Sequence, residues 1–94
     1  MRDKFVVHTP TKEEYDLLME WAHEQGITWC SGDSAISKNN YSNYGKEMAI
    51  TFGTRKGMSF ANTAHFLYTP EFGPVIPFEQ FAEEEGIYSS DDFF

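Results

Sequence analysis

Cys30-Ser31-Gly32-Asp33-Ser34 places a thiol and two hydroxyls where an apolar run gives way to a polar loop. Reactive groups often sit at such junctions. An activated nucleophile also needs an adjacent base or a positive field, and no basic residue lies within several positions. Cys30 therefore reads as an inert strand thiol. His8, His23 and His65 are the acid–base candidates; His8 and His65 can run hydrolytic chemistry only if the fold brings them together. His8, His23, His65, Cys30 and Asp33 show no Cys-x-x-Cys or His-x-x-x-His spacing, so they define no metal set. Gly45, Gly53 and Gly57 are wrongly spaced for a phosphate-binding loop. The expectation is no catalytic residue, no metal ligand and no cofactor.

Charge offers a stronger signal. The chain has 15 acids and 7 bases, a net charge of −8, over 94 residues. All the bases, Arg2, Lys4, Lys12, Lys38, Lys46, Arg55 and Lys56, lie in the first 56 residues, which are close to neutral. The remainder carries Glu71, Glu79, Glu83, Glu84, Glu85, Asp91 and Asp92 with no base. Such a chain cannot neutralise a phosphate backbone and is repelled by anionic lipid. Direct nucleic-acid and membrane binding are therefore disfavoured, and a basic groove on another protein becomes the natural counterpart. The final Asp91-Asp92-Phe93-Phe94 resembles the acidic tip of bacterial single-stranded-DNA-binding proteins. That resemblance implies a terminal ring seated in an apolar pocket ringed by bases. Fold-back of Phe93 and Phe94 onto the core is the competing reading.

A second site is conceivable in the more basic part of the chain. Trp29, Tyr41 and Tyr44, with Lys38, Lys46, Arg55 and Lys56, supply rings and cations for stacking a nucleotide. Against this, Trp29 falls on an apolar strand face and the lysines suit a solvated surface.

These residues must be positioned by a short list of elements. Lys4–His8 is an apolar, β-branched strand ended by Thr9-Pro10. Thr11-Lys12-Glu13-Glu14 matches a capping box, with Thr9 as a rival cap one step earlier. The helix so begun should run to Gln25, with Tyr15, Leu18, Met19 and Ala22 inward, widened by Leu17 and Trp21, and end at Gly26-Ile27. A strand is expected over Ile27–Ser31, then a polar loop from Gly32 to Lys46, then a strand over Glu47–Phe52. Gly53–Gly57 should turn a hairpin into Met58–Ala61 and His65–Tyr68, either two short strands or one strand interrupted at Asn62-Thr63. Pro70 to Pro77 should form a stiff surface connection, and Pro77 should open a short helix to Glu85 ended by Gly86-Ile87.

The 9 Phe, 5 Tyr and 2 Trp predict a ring-rich core sufficient without disulfide, since Cys30 is alone. The fold class expected is α+β. One antiparallel or mixed sheet of four to five strands should carry a long N-terminal helix and a short C-terminal helix on one face. Residues 1–94 should form one domain with an acidic, aromatic tail at 89–94. No secretory leader or membrane span is evident, so a cytoplasmic setting is expected.

Thr9-Pro10-Thr11-Lys12-Glu13-Glu14, Gly26-Ile27-Thr28-Trp29-Cys30-Ser31-Gly32 and Ile76-Pro77-Phe78-Glu79-Gln80-Phe81 together resemble small phage and prophage accessory proteins over Lys4 to Ala82. The resemblance implies a context more than a chemistry: anti-defence inhibitors that mimic DNA, block CRISPR effectors or sequester nucleotide signals. The leading expectation is a non-enzymatic acidic protein that inhibits a host defence or nucleic-acid-handling protein. Glu79, Glu83, Glu84, Glu85, Asp91 and Asp92 would enter its basic groove, with Phe93 or Phe94 as anchor. The alternatives are a nucleotide-signal sponge using Trp29, Tyr41, Tyr44, Lys46 and Arg55, and a small hydrolase using His8, His65 or Cys30.

Overall fold

A computed structural model describes residues 4–37, 40–53, 57–68 and 70–87. Strand β1 (Phe5–His8) leads through Thr9-Pro10 into helix α1 (Lys12–Glu24). Thr11 is the N-cap: its Oγ1 accepts from the Glu14 amide at 3.2 Å and donates to Glu14 Oε1 at 2.8 Å. Thr9, the rival cap, is buried instead and gives its amide to the Met48 carbonyl. At the far end Gly26 is left-handed, and the Ile27 amide reaches back to the Ala22 carbonyl at 2.9 Å. This is the Schellman closure expected of Gly-Ile after an apolar stripe.

The sheet is mixed and four-stranded, in the order β3-β2-β1-β4. β2 (Met48–Phe52) runs antiparallel to β1, with Phe5 opposite Phe52 and Val7 opposite Ile50. β3 (Phe60–Asn62) is antiparallel to β2 on one edge. β4 (Val75–Pro77) is parallel to β1 on the other. Strand alternation then sorts the side chains into two clusters. One joins Val7, Ile50, Phe52 and Ile76 to Tyr15, Leu18 and Ala22 of α1 and to Phe81 of α3 (Phe78–Glu85). The other joins Val6, Ala49 and Val75 to Phe66 of α2 (Thr63–Leu67) and to Phe72.

Four expectations change. Ile27–Ser31 is no full strand: Thr28 and Trp29 make only isolated bridges, to Ser34 and Met58. The chain turns at Gly32, whose amide reaches the Trp29 carbonyl at 2.8 Å, too soon for a ladder to grow. His65–Leu67 is helical and Tyr68 is the C-cap, because Asn62 Oδ1 caps the His65 amide at 2.8 Å and starts α2. α2 and its Phe66 cover the second sheet face, so the helices do not all share one side. The expected surface connection around Val75-Ile76 is instead β4. Pro77 can end it because an edge position leaves no neighbour needing its missing amide hydrogen; it is also the N-cap of α3. The proposed hairpin turn includes Thr54-Arg55-Lys56, which lie outside the described residues.

Candidate functional site

α3 is built from two short instructions. Phe78, Phe81 and Ala82 fall on one stripe and are buried, and Gly86 adopts φ 72 so that the Ile87 amide can close on the Ala82 carbonyl at 2.9 Å. The four glutamates of the helix occupy what remains, and all four are exposed. Helical spacing divides them into two pairs. Glu79 and Glu83 stand four apart along one flank. Glu84 and Glu85 stand three and four residues beyond Phe81, so they extend the row that faces the core, one turn past its last ring.

That arrangement contradicts the usual electrostatics of a helix. The C-terminal end carries partial negative charge and favours cations, yet the last turn of α3 contains Glu83, Glu84 and Glu85 and no base. α1 obeys the rule at its start, with Glu13 and Glu14 in its first turn. Acids held at an unfavourable helix end point to a purpose other than stability.

Beyond Phe81 the surface opens into a cleft of about 840 Å3. It lies where β1 begins and β2 ends, between the last turns of α1 and α3. Its floor is a packed set of rings. Phe5 stacks on Phe52 at 5.3 Å and on Phe81 at 5.5 Å. Trp21 meets Phe52 and Phe81 edge-on at 5.7 and 5.0 Å. Phe52 and Phe81 are buried, whereas Phe5 and Trp21 are half-buried and reach the cleft wall. Gln25, Ile27, Glu84 and Glu85 also line it. A volume of this size is in the range that accommodates drug-sized ligands.

The acidic residues chosen from sequence are thus partly brought together. Glu84 and Glu85 border the cleft, Glu79 and Glu83 lie on the other flank of the same helix, and Asp91, Asp92, Phe93 and Phe94 lie outside the described residues. Sequence spacing alone does not mark the rings of the cleft as site residues. Their one sequence signal was placement: Phe5 and Phe52 end apolar strands, and Trp21 widens the α1 stripe at its last turn.

The stacking candidates are absorbed into packing. Trp29 is 5% exposed and meets Phe60 edge-on at 5.7 Å. Tyr44, 41% exposed, meets the same Phe60 at 6.0 Å. Tyr41 lies against Tyr15 and donates its hydroxyl to the Pro10 carbonyl at 2.7 Å, fastening the long loop to the start of α1. The Lys46 carbonyl lies 2.6 Å from His8 Nε2, and Arg55 lies outside the described residues. The Tyr15 hydroxyl is buried and accepts the Asn40 amide at 3.1 Å. Burial raises its pKa above the ordinary 10.0, and the Asn40 hydrogen bond partly opposes the shift.

The reactive candidates are separately employed. His65 packs edge-on against Phe66 at 5.2 Å and tilted on Phe72 at 6.3 Å. Cys30 is exposed at the Trp29–Gly32 turn. Among the described residues no group of three or more His, Cys, Asp or Glu is placed to hold a metal ion. No helix among them is long and apolar enough to cross a membrane. Comparison with protein-family models, with curated proteins and with solved structures finds no match to this chain.

Proposed function

We propose that this chain is a non-enzymatic inhibitor of phage origin, acting in the host cytoplasm. Its target is a host defence or nucleic-acid-handling protein, which it inhibits by occupying a basic groove. The carboxylates of α3 take the place of phosphates, and the rings beside them supply the apolar contact. Asp91, Asp92, Phe93 and Phe94 extend the same chemistry along the chain. The observation that carries the reading is the last turn of α3, where three successive glutamates oppose the helix dipole beside a ring-lined cleft. Charge of this kind acts mainly by steering association and selecting partners. The engagement of Trp29 and Tyr41 in packing favours this reading over a nucleotide sponge.

The test is capture from bacterial lysate at low and high ionic strength, followed by competition with duplex DNA. Basic nucleic-acid-handling proteins should be retained at low salt, released at high salt and displaced by DNA. Retention that ignores both salt and DNA would overturn the proposal.

A further inference from the structure

β4 is the last strand of the order β3-β2-β1-β4, and among the described residues only β1 pairs with it. The register fixes which of its peptide groups face outward. Val6 lies opposite Val75 while its amide bonds the Pro74 carbonyl at 2.9 Å, so Pro74 and Ile76 turn their groups towards β1. Val75 therefore presents both its N–H and its C=O to the open edge. Pro77, next in that row, has no N–H to present. We propose that this edge accepts an extended segment of a partner protein, paired to Val75 through two main-chain hydrogen bonds. The segment carries an apolar residue opposite Val75 and a basic residue towards each end. It makes a sheet-edge contact distinct from the α3 carboxylates on which the inhibitor reading rests.

Each part of that segment answers to a feature beside the edge. A residue paired with Val75 in an antiparallel ladder turns its side chain to the same sheet face as Val75, the face that α2 covers. There Leu67 joins Phe66, Gly73, Pro74 and Val75 around an open hollow of about 370 Å3, room for an apolar side chain. Leu67 is 66% exposed and Tyr68, which follows it, 87%, so apolar surface beside the hollow still meets water. Natural sheets blunt a free edge with lysine, proline or a bulge, and Pro77 does so only past Val75. Charge accounts for the ends of the segment. Glu71 lies two residues before Gly73 and Glu79 two residues after Pro77, both exposed. Lys4, beside Gly73, is the one Lys or Arg near the strand among the described residues. Basic ends are therefore attracted, whereas acidic ones are repelled. A second copy of this chain, paired antiparallel, would bring a further net charge of −8 and set Glu71 of one copy towards Glu79 of the other.

The experiment is an NMR titration of the full chain with a terminally blocked Lys-Thr-Leu-Thr-Lys peptide, read at the backbone amides. The Val75 signal should move and saturate, and its hydrogen exchange should slow roughly tenfold or more once the peptide is bound. The Val6 amide, already bonded to the Pro74 carbonyl, serves as the internal control and should keep its exchange rate. Methylating the leucine nitrogen of the peptide removes the donor to the Val75 carbonyl and should weaken binding roughly tenfold, with the protein untouched. Glu71→Gln and Glu79→Gln, both at exposed positions, should each weaken it by roughly threefold at low salt and by less at high salt. Lys4→Gln should strengthen it in the same proportion. A peptide with glutamate in place of both lysines should leave Val75 unmoved.

A Val75 amide that stays still, or that moves without slower exchange, would overturn the edge assignment. Equal binding of the methylated peptide would do the same, because the contact would then not run through the main chain. Equal binding of the glutamate peptide would remove the charge requirement and with it the stated partner. Protection of Val75 that grows with the concentration of the free chain would also overturn it, since the occupant would then be a second copy. The two proposals fail separately. Salt-sensitive, DNA-displaced capture without peptide binding leaves the inhibitor reading standing and removes the edge site. Peptide binding without such capture does the reverse.

Discussion

Phe81 illustrates how one side chain serves both stability and the site. It is buried, packs on Phe5 at 5.5 Å and Trp21 at 5.0 Å, and forms part of the cleft. Phe81→Ala should cost about 3–5 kcal/mol of unfolding free energy, through lost burial and a residual void. Chemical denaturation checks this. Tyr15 gives a pH-dependent prediction. Its folded pKa is raised, so its contribution is fully present below pH 10.0 and declines as pH rises past it. In that range the unfolded chain loses the phenolic proton before the folded one does. The unfolding midpoint should therefore fall as pH rises through 10.0 and beyond, and Tyr15→Phe should shrink the fall. The variant should also lose about 1 kcal/mol at neutral pH, from the unmet Asn40 amide. Sequence spacing was enough to place both residues inside. It could not show that Tyr15 would receive the Asn40 amide, because the two lie 25 positions apart.

At the scale of elements, α1 is a locally written helix and α3 carries a conflict. Thr11→Ala should lower stability by about 1 kcal/mol, since the Glu14 amide loses its cap. Calorimetry of the unfolding transition checks it. The Glu85→Gln change should act the other way. Relief of repulsion at the helix end should raise the midpoint at low ionic strength, by about 0.3 kcal/mol or more per charge, and the gain should shrink in high salt. Binding would fall as stability rises. β4 was the least legible element. Its three residues look like a proline-bounded connection, and only pairing with β1 makes them a strand. Gly73 permits that approach: with φ 89, its missing Cβ leaves room for the Lys4 carbonyl. Gly73→Ala should therefore separate β4 from β1, which amide hydrogen exchange at Val6 detects through its bond to the Pro74 carbonyl at 2.9 Å.

For the whole molecule, the prediction concerns ionic strength. Charge is concentrated late in the chain, and α3 carries four of those acids, all exposed. Association with a basic partner should slow steeply as salt rises, while dissociation changes little, as stopped-flow binding would show. The local features were legible in the sequence because each is fixed by neighbours within a few residues: the Thr11 cap, the stripe of Tyr15, Leu18, Met19 and Ala22, the Gly-Ile endings, and the excess of acid after Lys56. Only tertiary structure decided that β4 lies parallel beside β1, that α2 covers the second sheet face, and that Phe5, Trp21, Phe52 and Phe81 converge beside Glu84 and Glu85. Those outcomes depend on contacts between segments far apart in the chain. Their energies arise from pairing and burial, which no local pattern encodes.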